Sequence, residues 1–276
     1  NWRITLTPLK ASAKGRALAV QSEIENQKLE IPNVLVGDVW LCSGQSNMAF
    51  GLRSAASAKT ELPAANHPRI RLLHMIQGTP GGRSVYGPKE LARCTPEKYF
   101  AGTWTACTPE TARNFSAVAY FFGRDLHKAT GVPVGLIHNA VGGTPTEAWM
   151  PRATLEADSQ FRELLADWPA SKQLHPFMSE RSSIHLKTWR EAAEKAEADG
   201  RPAPPMPGHP FKPAFLYESG IAPLMPFAIR GAIWYQGESN STNPKLHERL
   251  FPAMIRDWRK GWGQGDFPFL FVQLPG

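Results

Sequence analysis

The stretch Val34-Leu35-Val36-Gly37-Asp38-Val39-Trp40-Leu41 runs directly into Cys42-Ser43-Gly44-Gln45-Ser46-Asn47-Met48. Its first part is short, apolar and rich in β-branched and aromatic side chains, which suits a strand buried on both faces of a parallel sheet. The small residues and Asn that follow demand a turn, and Ser46 then stands where the chain leaves the strand's carboxyl end. Open α/β sheets place their chemistry at that edge. A hydroxyl there can be exposed and flanked by backbone N–H groups, as a nucleophilic serine requires. The same residues also read as an ordinary Ser/Asn turn, so the motif needs support from elsewhere in the chain.

Working outward, strands alternate with helices from Val34 onward, the pattern of a parallel α/β sheet. Five strands are expected, at Val34–Cys42, Ile70–Met75, Val132–Asn139, Ala228–Tyr235 and Phe267–Leu274. Phe115, Val118, Ala119, Phe122 and Leu126 recur at helical spacing. Asn114 or Ser116 can cap that helix, and Gly131 with Pro133 ends it. An insertion between the third and fourth strands carries a charged helix near Ile184–Ala198 and a proline-rich loop over Arg201–Pro213. A further helix near His247–Lys260 puts Leu250, Met254, Ile255 and Trp258 on one side. Residues 1–33 read instead as β, with Trp2–Leu6 and Leu18–Ile24 as candidate strands. Two strands cannot bury a core alone, so this segment is expected to finish a β-rich domain begun upstream. Opening at Asn1-Trp2, the chain reads as a piece of a longer protein.

Composition narrows the function classes. The chain has 276 residues, 42% hydrophobic and 20% charged, enough to bury a large core. No apolar run approaches the roughly 18–20 residues of a membrane span, so no membrane partner is expected. The formal charge is +7, yet Lys and Arg are scattered and form no basic stripe, which argues against a nucleic-acid partner. The three cysteines, Cys42, Cys94 and Cys107, do not have zinc spacing. Cys42 reads as a small core hydrophobe, while Cys94 and Cys107 could pair if the compartment is oxidising.

Two further loops share the expected edge. The third strand runs into Val141-Gly142-Gly143-Thr144-Pro145-Thr146-Glu147-Ala148-Trp149, whose glycines allow a backbone N–H to approach a ligand closely. The fourth runs into Trp234-Tyr235-Gln236-Gly237-Glu238-Ser239-Asn240, where Gln236 offers an amide donor. A serine hydroxyl, a glycine N–H and an amide at one edge make a nucleophile with an oxyanion hole. Each also has a bland alternative: a turn for the glycines, a structural hydrogen bond for Gln236, helix-start carboxylates for Glu147 and Glu238.

The segments 37–48, 142–149 and 234–240 together resemble the sialate O-acetylesterase family of the SGNH hydrolases. Phe115–Tyr120 and Asp257–Arg259 through Leu274 extend the resemblance over nearly the whole chain from Val34. It implies a three-layer, flavodoxin-like α/β domain over 34–276 with a mostly parallel five-stranded sheet, a serine esterase acting on an O-acetylated carbohydrate, and no cofactor or metal. A secreted or periplasmic setting goes with that reading. Ser46 would be the nucleophile. The Ser46 or neighbouring N–H, the Gly143 N–H and Gln236 would be the oxyanion donors, and Gln45, Asn47, Thr144, Glu147, Glu238 and Asn240 would contact substrate. The family's catalytic Asp and His follow the last core strand, so they are expected beyond Gly276; His138 is the nearest histidine within the chain. Acetylated xylan is an alternative substrate, and a non-catalytic carbohydrate-binding piece is the alternative of another class.

Overall fold

The computed structural model describes residues 9–21, 28–165, 168 and 174–274. The expected strand Trp2–Leu6 lies outside these residues. Two strands, β1 (Ser12–Gln21) and β2 (Lys28–Val36), form an antiparallel ribbon of their own. The core sheet is built from β3 (Asp38–Gly44), β4 (His67–His74), β7 (Trp104–Cys107), β8 (Val134–Ala140), β9 (Gly231–Tyr235) and β10 (Phe269–Phe271), in the order β10-β9-β3-β8-β4-β7. A two-residue pair, β5 (Ile76–Gln77) and β6 (Phe100–Ala101), lies outside that sheet.

The observed sheet corrects the expected one in two ways. It has six strands among the described residues, because Trp104–Cys107 adds an antiparallel edge to β4. Residues 34–36 belong to β2, and the core strand begins only at Asp38, after Gly37. The other five strands run parallel to one another.

Period-two alternation splits the core strands between two layers. Trp40 and Cys42 face one cluster, with Leu136, Phe115 and Tyr120, under the helix Ala117–Thr130. Leu41, Ile137 and Trp234 face the opposite one, with Trp149, Met254 and Trp258, under the helix Pro244–Trp262. Burying one such side chain contributes ~1.5–3 kcal/mol, several times an exposed ion pair such as Lys187–Glu191. The layers, not surface charge, hold the sheet.

The first helix is capped as its sequence indicates: Ser116 Oγ accepts from Ala119 N at 3.1 Å, and Gly131 closes it at φ 68°. The insertion carries two helices, Pro176–His185 and Lys187–Ala198, broken at Leu186. No disulfide joins Cys94 and Cys107, which are buried and free. Cys94 Sγ is directed at Glu90 O and Cys107 Sγ at Ala65 O. Among the described residues no helix is long and apolar enough to cross a membrane.

Candidate active site

Strand register brings the three loops together. Gly44 of β3 lies level with Ala140 of β8 on one side and Tyr235 of β9 on the other. Parallel strands that end level release their loops at one edge, so residues 45, 141 and 236 all start there. A Cβ on Gly44 would fall 2.2 Å from Tyr235 O, and its φ is +142°, so only glycine lets the two backbones meet this closely. Gln45 N then donates to Tyr235 O at 2.9 Å and Val141 N to Gly44 O at 3.1 Å.

Ser46 opens the single turn Ser46–Ala49 and is exposed. Gly142 faces it across the edge: a Cβ there would lie 3.6 Å from Ser46 Cβ. Gly143 follows at φ +77°, with the rings of Phe177 and Phe211 against its α-carbon. The first and third loops are tied by Asn47 Nδ2 donating to Glu238 Oε1 at 2.7 Å. The other carboxylate oxygen, Glu238 Oε2, is buried with no hydrogen-bond partner, which leaves it available to a donor brought into the site.

The second and third loops are joined by a buried polar network. Gln236 Nε2 donates to Thr144 O at 3.1 Å and to Asn240 Oδ1 at 2.7 Å, while Gln236 Oε1 accepts from Thr146 Oγ1 at 2.8 Å. Asn240 Oδ1 also accepts from Thr146 N, and Asn240 Nδ2 donates to Glu147 Oε2 at 2.9 Å. Thr144 Oγ1 donates to Val141 O and accepts from Trp149 Nε1. Gln45 Oε1 faces Ser239 N. Burial raises the Glu147 carboxyl above its ordinary value, against the opposing pull of a backbone hydrogen bond and of Asn240.

These contacts separate the residues singled out in the sequence. Ser46, Asn47, Gly143 and Glu238 line the edge where the loops meet. Gln45, Thr144, Glu147 and Asn240, expected to contact substrate, are buried and spend their polar atoms on one another and on loop backbone. Both amide hydrogens of Gln236, expected to face an oxyanion, are directed inward instead. The physical reason is common to all five: a polar side chain just past a buried strand must satisfy its own loop's backbone before it can serve a ligand. Thr146, given no role from sequence, is a junction of this network and also reaches His247 Nδ1 at 3.3 Å.

His138 is no base for Ser46. It lies in the middle layer of the sheet, 3% exposed, with its ring against His74 and Phe115. Burial, with the charge of His74 second, pushes its pKa down to about 3, and a backbone contact to Met48 pulls only the other way. Among the described residues no group of His, Cys, Asp and Glu could hold a metal ion.

The larger cavities are elsewhere. One of about 440 Å³ lies at the opposite, amino end of the strands, among Leu18, Val39, Trp104, Pro133 and Phe227. Another of about 510 Å³ lies in the insertion beside Cys94, Trp189 and Phe215. A third, of about 50 Å³, includes Gly142 in its wall and so opens beside Ser46. Size is a poor guide here, since only the smallest of the three reaches Gly142, the neighbour of Ser46.

Comparison with known proteins gives the family. The family described as carbohydrate esterase, sialic acid-specific acetylesterase matches residues 36–175. Sialate O-acetylesterases from Rattus norvegicus and Homo sapiens are each 31% identical over 99% of this chain, which spans 50% and 46% of their lengths. The chain thus spans about half the length of the curated relatives it matches. The crystal structure of a carbohydrate acetylesterase from Xanthomonas citri has a TM-score of 0.68 at 30% identity, covering 99% of this chain and 49% of that one.

Proposed function

This chain belongs to the sialic acid-specific acetylesterase family of carbohydrate esterases, and from that premise we propose that it carries the nucleophile of an enzyme removing O-acetyl groups from sialic acid or a related glycan. The observation that carries the reading is the exposed Ser46 at the carboxyl edge of β3, against the Cβ-free Gly142 and beside the Asn47–Glu238 pair. In this reading Ser46 Oγ attacks the acetyl carbonyl, and the N–H groups of Gly143 and of Ser46 or its neighbour receive the oxyanion. Gln236 acts through the loop it holds, keeping the Gly143–Thr144 turn in place by its bond to Thr144 O. Water then releases acetate from the acyl-serine.

The proton from Ser46 goes to a histidine oriented by an Asp, and the reading places both on chain that follows β10. Leu274 supports this: it packs where a Cβ on Gly237 would sit, 2.7 Å from its Cδ1, so chain leaving β10 arrives beside Glu238. In the same reading the ribbon of β1 and β2 finishes a β-rich domain that precedes residue 34; among the described residues each of these strands pairs only with the other.

The test is acetate release from an O-acetylated sialic acid and from acetylated xylan by the intact protein, with a fluorophosphonate probe to mark the nucleophile. The expected result is release from the sialic acid, label on Ser46, and a fall of about 10⁴ or more in Ser46→Ala, because a triad fails as a unit. Retained turnover in Ser46→Ala overturns the nucleophile. Binding without any turnover supports the non-catalytic alternative instead.

A further inference from the structure

The 50 Å³ cavity beside Ser46 contains a cation without a counter-ion. Arg181, on the helix Pro176–His185, lines it together with Gly142, Phe177, His185 and Phe211. Arg181 Nε is buried and has no hydrogen-bond partner. Among the described residues Arg181 makes no ion pair; the adjacent Glu180 is taken by Arg83. Leaving a charged donor buried and unpaired is costly, more than the ~1–3 kcal/mol of a neutral group, and such a group asks for an explanation.

Its position is held from both sides. The guanidinium carbon lies 4.9 Å from the centroid of the Phe177 ring, within cation–π range. Phe177 in turn packs on Gly143, where a Cβ would come within 2.9 Å of its Cε1. Arg181, Phe177 and Gly143 thus form a continuous wall from the cavity to the turn next to the nucleophile. Two other titratable groups line the cavity: Tyr86, stacked on the His185 ring, and His185, occupied by Gly82 O on one ring nitrogen and by His209 on the other. Among the described residues no carboxylate lines the cavity.

We propose that Arg181 recognises the carboxylate of an acidic O-acetylated sugar, making the enzyme selective for substrates that carry a negative charge near the acetyl ester. This rests on the Ser46 esterase reading and narrows it. The volume suits a carboxylate group and not a sugar ring, so the ring would rest at the mouth against Phe177, which is 42% exposed. A guanidinium meets a carboxylate through paired N–H donors, a geometry that a hydroxyl or an acetamide does not match. A neutral plant polysaccharide would leave the buried Arg181 Nε without a partner.

The experiment compares kcat/KM of the intact protein for an O-acetylated sialic acid and for its C1 methyl ester, reading acetate release. p-Nitrophenyl acetate reports esterase activity independently, so inactivity on all three substrates would be a failure of the esterase reading and not of this one. In that case binding of free N-acetylneuraminate and its methyl ester, followed by NMR, replaces the kinetic ratio. The wild type is expected to prefer the acid about 10–100-fold, the range of a charge-assisted hydrogen bond. Arg181→Met should bring that ratio close to 1, chiefly through KM, and Arg181→Lys should keep part of it. Equal rates on acid and methyl ester in the wild type overturn the proposal without needing any variant to fold. So does an undiminished ratio in Arg181→Met.

Discussion

Replacing His138 with leucine turns a buried basic group into a measurable pH dependence. The folded protein holds this imidazole at about 3, against 6.5 when unfolded. A depressed basic pKa means that the unfolded chain binds the proton first. The stability associated with neutral His138 is therefore fully present above pH 6.5 and is lost progressively as pH falls toward 3. Between pH 6.5 and 4.5 the loss is on the order of 2–3 kcal/mol, a large fraction of a typical 5–15 kcal/mol stability. Urea unfolding of wild type and His138→Leu at pH 7.5 and 4.5 measures it. The wild type should lose about 2–3 kcal/mol more than the variant across that interval. His74, also lowered by burial, is present in both proteins and largely cancels. Acetate release by His138→Leu at neutral pH should persist, because the ring faces the core. Equal acid sensitivity in the two proteins would refute the burial argument, and loss of the chemical step with an intact fold would restore His138 as the base.

Two other substitutions probe the loops. Gly143→Ala forces a side chain to φ +77° and toward Phe177; it should cost ~1–2 kcal/mol in urea unfolding from the backbone alone and lower kcat by about 10²–10³ if the N–H shifts off the oxyanion, so unchanged stability and turnover would remove it from the site. Glu147→Gln keeps an acceptor for Asn240 while removing the charge. Since burial raises the Glu147 carboxyl, the wild type's stability is fullest below about 4.5 and declines as pH rises, so the melting temperature of the variant should gain on the wild type between pH 4 and 7; a constant difference would mean the carboxyl is not desolvated.

What the chain disclosed and what it withheld follow from physical differences between its segments. The motifs 37–48, 142–149 and 234–240 were legible as one site because each follows a continuous apolar run, and parallel strands place such ends at one edge. The helix Ala117–Thr130 was legible from its spacing, its Ser cap and its closing Gly131. The strand Trp104–Cys107 was not: it has four residues, sits on an edge with Trp104 39% exposed, and pairs antiparallel, so no buried run announces it. Gln236, Thr144, Glu147 and Asn240 were read as facing a ligand because a polar residue in a motif does not declare which way it points. Only their partners show that they face inward. Arg181 lies in the insertion, outside every motif, and its meaning depends on Phe177 and Gly142 being beside it.

The unequal bonding of the three loops has a mechanical consequence. Four polar side chains clamp the second loop to the third, which ties the spacing of these two together. The loop bearing Ser46 is tied to them by side chains at Asn47–Glu238 and by the long contact from Ser239 N to Gln45. A seat that stays fixed pays no reorganisation energy when charge appears on it. In the proposed esterase reading, any adjustment needed to admit an acyl group would therefore fall on the turn that carries Ser46, which Asn47 joins to the third loop.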